Sequence, residues 1–209
     1  MIGFMTETFK TVLFATALAL SAADTTTAAE TSFADQKFKA TPWSQDWSVG
    51  VHWGQTIENN VRSLDAFNPF KIGYLDYSLV SLGLRKKIAN YGPYFSLYSE
   101  LNVSHIYGDE DYNEVFFTPT ISWDYFPWDK VLNTSASIGV GLSYTSIESN
   151  LDNSGKKLMA SMIFELEFKL PEYEKVALFT RIHHRSTAGI FAAGGGSNFH
   201  AIGLRYYLD

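Results

Sequence analysis

From Trp47 onward, apolar and polar residues keep alternating with a period of two along the chain. Successive side chains of a strand point to opposite faces, so this alternation predicts strands with one apolar face. The pattern places them over about 46–57, 76–88, 94–106, 114–126, 132–145, 158–169, 176–186 and 198–208. The fifth is the clearest: Leu132, Thr134, Ala136, Ile138, Val140, Leu142 and Tyr144 alternate with Asn133, Ser135, Ser137, Gly139, Gly141, Ser143 and Thr145. The fourth contains Pro119, an awkward residue for a strand interior because proline donates no ladder hydrogen bond.

Turn residues punctuate the pattern. Asn90-Tyr91-Gly92-Pro93, Pro127-Trp128-Asp129 and Pro171-Glu172 predict short links after strands two, four and six. Longer polar links are expected at the other end. Eight strands with links alternating in length match the layout of bacterial outer-membrane barrels. The expected fold is therefore all-β, an eight-stranded antiparallel transmembrane β-barrel over 46–209. A soluble sandwich or lipocalin-type barrel would also alternate, but with its apolar face inside. Here the face opposite the long apolar stripe carries Glu100, Glu165, Glu167, Arg181, Arg185 and Arg205. These six charges suit a paired, hydrated lumen, with the glutamates bound to some of the arginines. Ile138, Val140, Leu142, Phe164, Leu166 and Ile202 should then face outward. Trp123, Tyr125, Trp128 and Tyr206 read as an interfacial belt. A filled eight-stranded lumen argues against a conducting pore.

The first residues add a destination. Lys10, the apolar run Thr11–Ala22 and the small residues Ser21-Ala22-Ala23 read as a secretory signal over 1–23, with Thr27-Ala28-Ala29 as a second cleavage candidate. Residues 24–45, rich in Thr, Ala and Ser, read as a flexible lead-in. Nothing later in the chain is apolar for long enough to span a bilayer as a helix. A barrel exported this way belongs in the bacterial outer membrane.

Composition excludes several classes. The 209 residues include no cysteine, which removes thiol nucleophiles, disulfides and zinc–thiolate sites. A formal charge of −6 without a basic run argues against nucleic acid as a partner. The histidines and carboxylates show no metal-ligand spacing, and Gly194-Gly195-Gly196 precedes no helix, so it is not a phosphate loop. No cofactor is expected.

The chemistry concentrates in the final hairpin, Lys175–Leu208. His184 and Ser186 share one strand face, while His183 joins Arg181 and Arg185 on the lumen face. Across the hairpin lies Asn198 or His200, depending on register. With the termini inside, this polar group sits at the outer rim above a lipid-facing stripe. A hydroxyl, an imidazole and an orienting group are what serine-based ester hydrolysis requires. The N–H groups of Thr187 to Gly189 are candidate oxyanion donors. On spacing alone, ordinary rim residues at the water boundary are the better fit for His184 and Ser186.

An eight-stranded barrel ending in His184-Arg185-Ser186, a short loop and a last strand resembles the lipid A 3-O-deacylase family of Gram-negative outer membranes. The resemblance is good over the last two strands and architectural elsewhere. It implies Ser186 as nucleophile, His184 as general base, and lipid A or another outer-leaflet lipid as partner. Twelve positions after Ser186, where the family has glutamate, this chain has Asn198, and Thr187 stands where the family usually has asparagine. Swapping a triad carboxylate for an amide has cost about 10⁴ in rate elsewhere. Two expectations follow: a serine esterase acting on lipid A or a related glycolipid, or a non-catalytic small barrel with a structural or surface-interaction role.

Overall fold

The structure is a computed structural model that describes residues 43–58, 72–92 and 94–208. The expected signal segment and the lead-in up to residue 42 lie outside the described residues. Eight strands close into a barrel: β1 (Trp47–Ile57), β2 (Tyr74–Tyr91), β3 (Phe95–Gly108), β4 (Tyr112–Trp123), β5 (Asn133–Thr145), β6 (Leu158–Lys169), β7 (Val176–Ser186) and β8 (Gly196–Leu208). Each strand pairs antiparallel with its neighbour in sequence, and β1 closes the barrel on β8. Closure leaves no exposed strand edge, which is what a hydrocarbon environment demands of backbone N–H and C=O groups.

The two faces of the wall have opposite character. Leu82 is 60% exposed and Ile202 54%, with Val51, Val103, Phe117, Leu142 and Leu204 comparably open. Arg181, by contrast, is wholly buried, as are Glu100, Glu165, Glu167 and Arg205. Such a reversal of inside and outside suits a protein solvated by lipid. At the inner end Tyr94, Phe95, Trp123 and Tyr125 stack into an exposed aromatic group, part of the expected belt.

The lumen is filled in three storeys. At the inner mouth Trp43 packs on Tyr207, with the Lys169 ammonium 4.4 Å from both ring centroids. At mid-height Arg85, Arg181 and Arg205 meet Glu100, Glu165 and Glu167. Arg85 Nε donates to Glu100 at 2.7 Å and its Nη2 to Glu165 at 2.7 Å. Arg181 bridges Glu100 at 2.6 Å and Glu165 at 2.8 Å. Arg205 reaches Glu165 at 2.8 Å and also pairs with Glu167, which Tyr207 caps through its hydroxyl at 2.6 Å. Phe179 lies under the Arg181 and Arg205 guanidiniums. A side chain at Gly203 would come within 2.6 Å of that ring, so the close packing requires glycine there. At the outer end Leu79, Ile106, Tyr112 and Phe199 form an apolar plug.

The glutamates pair, as expected, with some of the three arginines named, Arg181 and Arg205, and Arg85 joins them. Arg185 sits higher, paired with Asp152 and 3.9 Å from Glu114. Other details differ from the expected pattern. The outer lumen combines that apolar plug with a second polar group, in which Arg185, Asp152, Glu114 and Ser197 are all buried. Link lengths do not alternate strictly either: β4 ends early, so the inner β4–β5 link spans 124–132, whereas the outer β3–β4 link is only 109–111. Asp124 keeps the inward direction of the alternation, where Ser96 and Ser135 donate to its carboxylate, and Asp129 then folds the link by accepting from the Phe126 and Thr134 N–H groups. Pro119 stays within β4 at the expense of the ladder: pairing with β5 stops after Phe117–Leu142 and resumes at Thr120–Gly139. Val140 is on the outer face but only 1% exposed, because Ala188 and Phe191 of the β7–β8 link fold down over it.

Two substitutions test this layout in urea unfolding of the barrel from lipid or detergent. Glu165→Ala strands buried guanidiniums and should destabilise by about 3–5 kcal/mol. Leu82→Arg puts a charge on the lipid face and should cost roughly 2–4 kcal/mol, whereas a water-facing site would tolerate it.

Candidate active site

Register places the candidate residues. On the β7–β8 ladder His184 lies opposite Asn198, and Ser186 opposite Gly196. His200 lies opposite Ile182, one outward-facing step deeper. Of the two residues the sequence left open as the imidazole's partner, Asn198 is therefore the one in place. His184 Nδ1 and Asn198 Oδ1 are 2.7 Å apart. The amide oxygen only accepts, so Nδ1 carries the proton and the neutral ring presents Nε2 as its lone-pair nitrogen. That is the tautomer a general base needs.

Ser186 is on the same face, two residues further out on β7. Among the described residues no hydrogen bond joins it to His184. Hydroxyl–imidazole contacts in unliganded sites are often long and tighten only with substrate. His183 faces the lumen as expected: its ring stacks on Phe116 at 4.2 Å, and Nε2 is 3.4 Å from Glu114.

The amides of the β7–β8 link are partly committed. Thr187 N–H donates to the Gly195 carbonyl at 3.3 Å, which removes it from the candidate oxyanion donors. Ala188 and Gly189 both adopt positive φ, 50° and 68°. Alanine rarely holds that conformation, and the turn it makes leaves the Ala188 and Gly189 amides as the candidates. The same turn drops Phe191 onto Val140, Ala160 and Met162. Ala160 is the β6 partner of Ser186 and Met162 that of His184. On the other side Ile57, Ile72 and Ile182 pack together with Phe164. The polar row is thus flanked by apolar side chains on the barrel's outer surface.

One feature escaped the sequence reading. His200 is held by the Tyr74 hydroxyl at 3.2 Å and by Thr180 Oγ1 at 3.1 Å, and Gln55 Nε2 donates to the Leu75 carbonyl at 3.0 Å. These contacts tie the start of β2 to the outer wall across β1 and β8. Their sequence signal is weak, since Tyr74 precedes the alternating part of β2.

An apolar exterior, a neutralised interior and complete strand closure define a transmembrane β-barrel of the bacterial outer-membrane class. No protein-family model matches the sequence, and no curated protein matches it. Among solved structures, the outer-membrane enzyme PagL aligns with a TM-score of 0.56 at 14% identity, over 77% of this chain and 99% of that one. Neisserial surface protein A aligns at a TM-score of 0.48 and 9% identity, over 78% and 96%. The N-terminal barrel of Pseudomonas aeruginosa OprF aligns at 0.46 and 11%, over 78% and 98%. At such identities the likeness to PagL establishes the shared fold.

The His184–Asn198 bond has a direct spectroscopic check. In detergent micelles the His184 ring should show one slowly exchanging proton on Nδ1, and Asn198→Leu should abolish it while leaving the barrel folded.

Proposed function

We propose that this protein is a serine esterase of the outer-membrane surface, removing an ester-linked acyl chain from lipid A or a related outer-leaflet glycolipid. The observation that carries the reading is the His184–Asn198 hydrogen bond on the lipid-facing rim, one outward step from Ser186. Unlike His200, whose two ring nitrogens are both occupied by Tyr74 and Thr180, His184 has a hydroxyl-bearing neighbour on its own strand face, Ser186.

The chemistry follows from these positions. Ser186 Oγ attacks the ester carbonyl while His184 Nε2 takes its proton. The carbonyl oxygen becomes an oxyanion, with the Ala188 and Gly189 N–H groups as its donors. The tetrahedral intermediate collapses as the imidazolium returns the proton to the departing sugar oxygen, leaving an acyl-serine. Water, deprotonated by the same nitrogen, then releases the fatty acid and restores Ser186. Asn198 keeps the ring in the required tautomer. A neutral amide stabilises the imidazolium less than a carboxylate does, so turnover is slow. The apolar side chains of Ile182, Phe164 and Met162 lie alongside for the acyl chain.

A second reading has its own observation. Asn198 stands where the resembling family has a carboxylate, as a barrel with a structural or surface-interaction role would tolerate. Fatty-acid release from purified lipid A in detergent separates the two. Ser186→Ala and His184→Ala should each reduce release by roughly a hundredfold or more, and the double variant by little beyond either. Asn198→Glu should accelerate release by roughly tenfold or more. Release that survives Ser186→Ala contradicts the mechanism. No release by folded wild type or Asn198→Glu selects the non-catalytic reading.

A further inference from the structure

A second arrangement lies behind the outer row, on the lumen side. Asp152, in the β5–β6 link, is 1% exposed. Its Oδ1 accepts the Ser197 hydroxyl at 2.6 Å, and its Oδ2 is ion-paired with Arg185 Nη1. Its main-chain carbonyl accepts the Gly196 N–H at 2.7 Å. Arg185 stands between His184 and Ser186 in the chain, and Ser197 directly precedes Asn198. One residue therefore grips both strands of the hairpin, each time beside a member of the outer row.

Arg185 is itself held fast. Its Nη2 donates to the Lys157 carbonyl at 2.6 Å and the Lys156 carbonyl at 3.1 Å, and its Nε to Ser143 Oγ at 2.9 Å. Strand neighbours point to opposite faces, so fixing Arg185 and Ser197 inward fixes His184, Ser186 and Asn198 outward. The link has a separate anchor: Glu110 accepts from Ser149 Oγ at 2.5 Å and from Asn150 Nδ2 at 2.6 Å. Asp152 is thus not needed merely to keep the loop attached.

We propose that Asp152 is a positioning residue for the candidate ester-hydrolysing site, holding the β7–β8 hairpin from the lumen side so that His184 and Asn198 meet. Its kinetic consequence rests on the esterase reading; its structural consequence does not. Loss of the carboxylate leaves Ser197 without its acceptor and Arg185 without its nearest anion, so the side-chain brace shared by the two strands is gone while the main-chain bond to Gly196 remains. A displacement of about 1 Å at a reacting group is enough to cost roughly a hundredfold in rate.

The test uses the full-length barrel in micelles, with heat-modifiable gel migration reporting the folded state. Asp152→Ala should lower kcat for fatty-acid release by roughly tenfold to a hundredfold. KM should stay within about twofold, because acyl-chain binding surfaces are untouched. The Nδ1 proton of His184 should also exchange faster or vanish. Asp152→Asn, which keeps an acceptor for Ser197, should recover most of both signals, and Ser197→Ala should weaken the ring signal. A folded Asp152→Ala with wild-type kcat and an unaltered His184 proton overturns the proposal. If Asp152→Ala fails to fold, Ser197→Ala decides, and an unaltered ring signal there overturns it. If the wild type releases no fatty acid, the esterase reading falls, and the ring signal alone still decides the role of Asp152.

Discussion

The mid-lumen cluster of three arginines and three glutamates is the constraint on which the rest of this barrel depends. Eight strands enclose a space just wide enough for side chains to fill. Each buried charge, alone, would cost several kcal/mol; here Arg85, Arg181 and Arg205 share Glu100, Glu165 and Glu167 and neutralise one another. The cluster draws on β2, β3, β6, β7 and β8, so it ties strands together across the barrel as well as along its wall. It also locks register. A slip of one residue in β7 would send Arg181 and Arg185 into lipid, where charges are expensive. Because those two are held inward, His184 and Ser186 are held outward. The candidate chemistry is thus a consequence of the interior electrostatics.

Much of this was legible in the chain. Period-two alternation is clearest in 132–145 and returns in 158–169, and those strands have the expected faces. Glu165, Glu167, Arg181 and Arg205 share one face by spacing alone, and they pair as charge demands. What could not be read depends on how far side chains and links reach. Arg85 lies in the strand with the least clean stripes, and only closure of the barrel shows that its guanidinium meets Glu165 across the lumen. Arg185 shares a face with Arg181, yet it pairs with Asp152, because the β5–β6 link dips into the outer mouth. No local pattern announces that a polar loop will turn inward. Phe191 is similar, since a glycine-rich link reads as solvated until its turn at Ala188 lays the ring on β5 and β6.

At the rim, the sequence supplied the residue types and the structure supplied the register. Spacing left Asn198 and His200 both open and the family resemblance pointed to Asn198; pairing sets Asn198 beside His184 and His200 between Tyr74 and Thr180. The fold by itself does not choose a function, because one barrel architecture can host many. The choice rests on a few atoms: an imidazole with its tautomer set, a hydroxyl one step away, two amides in a left-handed turn, and apolar walls on either side. An amide in place of a carboxylate tunes such a site down without dismantling its geometry.

The most direct measurement is mass spectrometry of lipid A from Gram-negative cells expressing the wild-type protein or Ser186→Ala. The esterase account predicts a lipid A species lighter by one ester-linked acyl chain with the wild type and absent with the variant. Identical spectra, from barrels shown to be folded in the outer membrane, would contradict it.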